Sequence, residues 1–250
     1  ANFSISGGIT QGITFDTGPA SVSGPTDFLG IDGSFRNLPP SVAEASRNEP
    51  LIQTDRFSTR GYTAEELEQF GEELAERYEL LEQSIPPGLG LSGSIGDSFS
   101  LFGGKGGYFS SLAYDNGYGQ DDSTVTIYTV GSGDLEQAHR YVFDEITNTI
   151  SLSGIFTTGL DWESGDQIRL TTLLNRITDD EARVYEGPNR DLGENIRVTR
   201  FRWIERMMIS QQLRGEHPLK FLNSTLGWRY TFAIATRDEP DRRSIRYDYE

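Results

Sequence analysis

His139 and His217 are the only histidines in the chain, and there is no cysteine. Neither histidine has a carboxylate or second histidine at zinc-ligand spacing, and neither stands where a Ser/His/acid constellation needs one. Thiolate nucleophiles, disulfides and thiolate-ligated metals are excluded outright. Asp27, Asp32, Asp121, Asp122, Asp179, Asp180 and Glu181 offer oxygen ligands for a hard cation. No run of them has calcium-loop spacing, so they read as solvated loop acids. The GGKGG run at 103–107 lacks the spacing of a phosphate-binding loop, and its glycines are explained by a turn. Arg200, Arg202, Arg206 and Arg229 could meet an anionic ligand, but pairing with acids on neighbouring strands is the simpler account. Phe28, Phe35, Tyr62, Tyr128 and Tyr185 are loop aromatics able to stack on a ligand. No catalytic, cofactor or metal residue is assigned, the ligand-binding residues are unknown, and the chain does not read as an enzyme.

The elements that would position these groups are strands. In 250 residues, hydrophobic types make up 35% and glycine supplies 28 positions, a lean composition for a soluble core of this size. The net charge of −16 argues against a nucleic-acid partner, which calls for a basic footprint. No apolar run approaches the ~20 residues of a membrane helix. Apolar residues instead recur at every second position. Phe3, Ile5, Ile9, Ile13 and Phe15 begin the pattern; Leu89, Leu91, Ile95, Phe99 and Leu101 repeat it. Further sets include Tyr108, Leu112, Tyr114 and Tyr118, then Ile150, Leu152, Phe156, Leu160 and Trp162, then Ile168, Leu170 and Leu174. A sixth strand is expected over about 196–213. Trp228, Tyr230, Phe232 and Ile234 mark a seventh, and Ile245, Tyr247 and Tyr249 suggest an eighth beginning beyond a charged RDEPDRR turn.

The turns around Gly103 and Gly165 are short, whereas 17–87, 119–140 and 179–195 read as long outer connections. The expected topology is an all-β, antiparallel up-and-down meander with two unlike poles. Within 17–87, Thr63 and Glu66 form a capping box opening one helix over 63–83. Leu67, Phe70, Leu74, Tyr78 and Leu81 line its apolar side. Glu65, Glu66, Glu68, Glu72, Glu73, Glu76, Glu79 and Glu82 make a solvated face.

An apolar strand face must be covered by a core or by lipid. Here the opposite face is rich in Gly, Ser, Ala and Thr, and aromatics cluster near strand ends. That arrangement predicts a transmembrane β-barrel with lipid outside and a polar lumen. The arrangement places Trp228, Tyr230, Phe232 and Ile234 towards lipid and Arg229, Thr231, Ala233 and Ala235 towards the lumen. Glu205 is the misfit, because it shares the apolar parity of Phe201, Trp203, Met207 and Ile209. A bulge near Ile204 would re-aim it, or that part of the strand stands above the membrane.

Several stretches resemble the TonB-dependent outer-membrane receptors: DFLGIDGSFRNLP (27–39), SGSIGDSFSLFGGKGGYFSSLAYDNGY (92–118), LLNRITDDEARVYEG (173–187), RWIERMMISQQLRGEH (202–217) and WRYTFAIATRDEPDRRSIRY (228–247). The resemblance covers nearly the whole chain in the family's order. It implies a barrel of roughly 22 strands closed by a plug domain. Residues 1–250 are then expected to be about the first third of the barrel, a partial barrel of about 7–8 strands. Residues 17–87 would be the first extracellular loop, and the plug domain would precede residue 1. The implied function is capture of a scarce nutrient of the siderophore, cobalamin or glycan class and its import with energy delivered through TonB. The implied partners are outer-membrane lipid, a small extracellular ligand and TonB, met through the missing plug domain. A soluble or surface-attached β-rich carbohydrate-binding module is the alternative, and no nucleic acid is expected.

Overall fold

The computed structural model describes residues 1–54, 60–75, 79–130 and 133–249. In chain order the elements are β1 (Asn2–Gly8), β2 (Thr17–Ala20), α1 (Pro40–Asn48), α2 (Ala64–Ala75), β3 (Leu81–Ser84) and β4 (Gly88–Leu101). Five long strands follow: β5 (Gly104–Val130), β6 (Leu135–Asp161), β7 (Gln167–Asn189), β8 (Glu194–Leu219) and β9 (Ser224–Tyr249). Seven strands form one antiparallel meander in the order β1-β4-β5-β6-β7-β8-β9, while β2 and β3 pair separately. The seven-strand sheet is not closed on itself: β1 and β9 are its edges among the described residues.

The strands reach much further than the apolar alternation alone suggests. The expected loops at 119–140 and 179–195 are mostly strand: β5 runs to Val130, β6 begins at Leu135, β7 runs to Asn189 and β8 begins at Glu194. Charged residues there pair across the ladder, which single-strand periodicity cannot register. RDEPDRR likewise is not a turn: β9 runs through it, so the expected eighth strand is the far half of the seventh. Its proline fits because β9 is an edge strand and the ladder shifts there. Trp203 pairs with Asp241 but Glu205 pairs with Asp238, leaving Glu239 and Pro240 opposite Ile204. The expected bulge therefore lies on β9, and Glu205 is not re-aimed.

Three turns define the opposite pole. Phe102 and Gly103, with φ of 50° and 74°, make a two-residue hairpin whose mirror-image geometry matches the strand twist. Trp162–Asp166 link β6 to β7, closed by Trp162 N donating to Asp166 O at 3.0 Å. Lys220–Leu222 form a short 3-10 turn before β9, with Asn223 left-handed. Indole N–H groups tie these turns together. Trp162 donates to Phe102 O at 3.0 Å, and Trp228 donates to His217 Nε2 at 3.0 Å.

The register gathers the apolar positions from all seven strands onto one face. Nearest the turns, Phe99, Gly106, Leu160, Ile168, Gly215 and Trp228 form one cross-sheet row. The two glycines lie under neighbouring side chains: a Cβ on Gly215 would come within 2.5 Å of the Trp228 ring. Further rows reach Tyr114, Leu152, Arg176 and Met207. This belt is uncovered: Leu112 is 55% exposed and Phe232 49%. Beyond it the same face is buried, with Ile150, Phe201 and Trp203 each no more than 2% exposed. The cover is the folded segment between β1 and β4. The other face at belt level is mainly small and polar, as in the row Ala113, Ser153, Asn175, with Ile155, Leu173 and Met208 as apolar intrusions.

The 17–87 segment is more structured than one helix in a loop. The first strand stops at Gly8, and residues 10–15 form a turn instead of continuing the alternation. A second helix, α1, begins at Pro40, whose missing N–H costs nothing in a first turn, and buries Val42 and Ala45. The capping box is reciprocal: Thr63 N donates to Glu66 Oε2 at 2.8 Å, and Glu66 N to Thr63 Oγ1 at 3.2 Å. The helix it opens is shorter than 63–83. It is Ala64–Ala75, and Leu81 belongs to β3, where pairing with β2 wins over helical propensity. Tyr78 and Glu76 lie outside the described residues. Leu67, Phe70 and Leu74 are half-buried, while Glu65, Glu66, Glu68, Glu72, Glu73, Glu79 and Glu82 face solvent.

Glycine is required most clearly at Gly106, where a Cβ would stand 2.6 Å from Gly159 O and 2.9 Å from both Phe99 and Leu160. Gly106→Ala is expected to destabilise the sheet by about 1–3 kcal/mol, the usual cost of overpacking. Urea-induced unfolding against the parent protein, followed by tryptophan fluorescence, measures it.

Candidate functional site

The segment Gly24–Arg36 folds back on itself before it meets the sheet. Asp27–Leu29 form a single 3-10 turn, ended by Gly30 in the left-handed region at φ 69°. Asp27 Oδ2 accepts from Gly24 N at 2.8 Å, and Thr26 Oγ1 donates to Ile31 O at 2.6 Å. Asp32 Oδ1 accepts from Arg36 N at 3.0 Å. These local bonds replace a regular ladder and turn Arg36 inward.

Arg36 is the centre of the contact, with 3% of its side chain exposed. It grips Asp27 bidentately at 2.9 and 2.7 Å, bonds Asp32 at 3.1 Å, and lies 3.8 Å from Asp180. Its guanidinium carbon sits 3.8 Å from the centroid of the Trp203 ring. A planar cation can satisfy carboxylates at its rim while stacking on an indole, which a lysine cannot do. Burial works against the Arg36 charge, but the bond to Asp27 and the fields of Asp180 and Asp27 outweigh it and hold its pKa above the ordinary value.

The segment is fastened to the sheet through main chain as well. Gly30 O accepts from Thr178 Oγ1 at 2.8 Å and from Arg176 Nη2 at 2.7 Å. Any side chain at Gly30 would press on Thr178 and Ile150. Tyr114 OH donates to Phe28 O at 2.6 Å, and Asp32 N donates to Glu205 Oε1 at 2.9 Å. Glu205 also accepts from Arg176 Nη2 at 2.6 Å and from Trp203 Nε1 at 2.9 Å. Its misfit on an apolar face is thereby explained: it is a half-buried acceptor for the docked segment.

Asp180 is the least well-paired carboxylate of the group. Its nearest partners are Ser21 Oγ at 3.3 Å and Arg36 at 3.8 Å, while Asp27 and Asp241 add negative field. Burial, above all, pushes its pKa up to about 6, against the pull of Arg36.

The other expected residues divide between two places. On the face away from the segment, arginines and acids form a ladder: Arg200 pairs with Glu181, Arg206 with Asp179 at 2.6 Å, and Arg202 with Glu239 at 2.9 Å. Arg183 pairs with Glu145, and the Arg202 bond holds the Glu239 carboxyl below its ordinary range. Arg229 is opposite Arg214 in the ladder and outside this network. Asp27, Asp32, Asp179, Asp180 and Glu181 are therefore not solvated loop acids; they are paired or buried. Asp121 and Asp122 are exposed on β5, and Asp122 faces Asp144, whose pKa is raised by burial and then by that neighbour.

His139 stacks on Tyr141, with Asp191 3.4 Å away, at the far ends of the strands. His217 lies between Asp166, at 2.8 Å, and the Trp228 N–H, so both ring nitrogens are engaged in the turn pole. The bonds from Ser164 and His217 lower the Asp166 pKa. The Lys105 glycine run carries only the β4–β5 hairpin and the start of β5. Tyr62 donates to Ala45 O at 2.7 Å and joins α1 to the start of α2. Phe35 lies beside Arg36, Tyr185 packs on Phe143 at 4.8 Å, and Tyr128 and Phe28 are exposed. Among the described residues, no three His, Asp or Glu side chains converge to hold a metal ion. Arg36, Arg176, Thr178, Trp203 and Glu205 were not foreseeable as one site. The parity misfit of Glu205 was the only local sign of it.

Two outcomes are expected at this cluster. Arg36→Met leaves buried carboxylates uncompensated, so docking of the segment should weaken by about 3–5 kcal/mol, read as lost amide-exchange protection over 21–36. Because the Asp180 pKa is raised on docking, its ionised form opposes docking, and docking should strengthen as pH falls through about 6 towards the ordinary carboxylate range. Asp180→Asn should flatten that dependence and give acid-like protection at pH 7.5. No family model matches the chain, and no curated protein matches it.

Proposed function

We propose that this chain is wall of a transmembrane β-barrel in the Gram-negative outer membrane, within a nutrient receptor of the TonB-dependent class. The observation that carries the reading is the uncovered apolar belt. It runs from the short turns to the row of Tyr114, Leu152, Arg176 and Met207. That is about ten residues per strand, the 9–11 that a tilted strand needs to cross the hydrocarbon core. Trp162 and Trp228 stand at the turn end and Tyr114 at the other, the positions of two interfacial aromatic girdles. The sheet edges at β1 and β9 are compatible with further strands on either side. Closure would be obligatory in lipid, where each unpaired backbone group costs several kcal/mol.

In this reading the short turns face the periplasm, and the long distal strands with the 9–87 segment stand outside the cell. The receptor captures a scarce nutrient of the siderophore, cobalamin or glycan class and imports it with TonB-derived energy. The support for that part is the sequence resemblance of the DFLGIDGSFRNLP and RDEPDRR stretches. The DFLGIDGSFR residues have a physical role here as the latch on Trp203, Asp180 and Glu205.

Cell fractionation tests the membrane assignment. The full protein should remain with outer membranes through high-salt and urea washes and be released only by detergent. A protein that is soluble and monomeric without detergent overturns the barrel and favours a β-rich carbohydrate-binding module. A barrel whose full chain lacks a plug domain would retain the membrane assignment and lose the importer.

A further inference from the structure

The docked segment and the apolar belt occupy the same side of the sheet, and strand geometry leaves no freedom in this. On β7, Thr178 meets Gly30, while Leu174 and Leu170 of the same parity belong to the belt. On β6, Ile150 lies against Gly30, with Leu152 and Phe156 continuing the same face. The β6–β7 and β7–β8 ladders run through this region without a register shift. Side chains two apart point the same way, so whatever the belt faces, the segment faces too.

The part of the segment nearest the belt is its apolar tip. Phe28 O is held by Tyr114, and Gly30 O by Arg176, both in the belt's last row. Arg36, with Asp27 bound to it, is by contrast tied to Asp180 and Trp203, four residues further from the turns. From this tip Phe28, Leu29 and Ile31 project with 60%, 42% and 38% exposure. Three large apolar side chains in one exposed turn, continuous with an exposed apolar belt, form a single surface. Tyr114 and Arg176 beneath them have the amphipathic character of residues at a water–hydrocarbon boundary.

We propose that the Phe28–Ile31 turn is a membrane anchor, in which Phe28, Leu29 and Ile31 enter the outer leaflet beside the belt. The occupant of this patch is lipid acyl chain. The 9–87 segment thus lies on the outer side of the wall, not over the lumen. The inference rests on the barrel reading, because without a lipid-facing belt the tip has no bilayer to enter. The Arg36 cluster sets its geometry by holding the turn rigidly at the boundary row, and Gly30 permits the tight approach.

Residues 1–250 hold no cysteine, so in a full protein cleared of any cysteine elsewhere a single introduced thiol reports on its own position. Single variants Phe28→Cys, Phe232→Cys and Glu65→Cys of the full protein are labelled and reconstituted into phosphatidylethanolamine–phosphatidylglycerol vesicles. Accessibility to oxygen and to a water-soluble nickel chelate is then compared. The labels at 28 and 232 should both favour oxygen, each several-fold over the label at 65, with 28 the shallower. A label at 232 in lipid together with one at 28 that favours the nickel reagent, or is shielded from both, overturns the anchor and leaves the barrel intact. A label at 232 that favours the nickel reagent overturns the barrel reading and the anchor with it. Phe28 is exposed and its main chain carries the Tyr114 bond, so its replacement leaves the fold's contacts in place.

Discussion

The two-residue period of a strand governs this molecule, because β5 to β9 hold it over 23 to 27 residues each. In such a strand a side chain near the turns and one far from them are committed to the same face if their separation is even. The sheet therefore carries two zones on each face, and the four zones are not independent. On one face an apolar belt gives way to the docking floor of the 9–87 segment. On the other, small polar residues give way to the arginine–carboxylate ladder. The ladder shifts at Glu239 and Pro240, on an edge strand where this leaves β6 and β7 undisturbed, and at Ala138, near the far ends of β5 and β6.

The docking floor shows how a polar cluster can be kept in a sheet that is otherwise apolar on that side. Arg36, Arg176 and Arg243 face Asp27, Asp32, Asp180, Asp241 and Glu205. Nearly every acceptor is taken by a guanidinium, an indole or a main-chain N–H, which is the condition for burying charge at tolerable cost. Carboxylates outnumber arginines, and the Asp180 pKa is raised chiefly by burial, with the neighbouring charges of Asp27 and Asp241 adding to it. Burial of Phe201, Trp203 and Ile150 beside the charges contributes roughly 1.5–3 kcal/mol each. Specificity of placement comes from the polar bonds, and much of the adhesion comes from this apolar floor.

Within the proposed barrel, the parity constraint has a consequence for where a ligand could be met. The side away from the segment would be the lumen, and its distal wall carries the paired ladder of Arg183, Arg200, Arg202 and Arg206. The first outer segment would then shape the rim and its seating in the membrane, leaving the lumen wall to the strands themselves. The turn pole, pinned by Trp162 and by the Asp166–His217–Trp228 chain, would keep the strand ends aligned at the opposite interface.

The apolar alternation of Phe3, Leu91, Leu112, Phe156, Leu170, Ile209 and Phe232 was legible in the chain because it is a local property of backbone pleat. The seven-strand meander, the short turns and the Thr63–Glu66 cap were legible for the same reason: each depends on residues close in sequence. The distal halves of β5, β6 and β7 were not, because charge in a strand reads as loop until its partner strand is known. The pairing of Asp179 with Arg206, and of Glu181 with Arg200, exists only across the ladder. The site was hidden on the same grounds. Asp27, Arg36, Asp180, Trp203 and Glu205 come from regions up to 178 positions apart, and each alone has an ordinary reading. What the sequence determined by itself was which side chains share a face. Only the tertiary structure decided which part of that face is covered, because burial depends on what folds back over it and not on the period of the strand beneath.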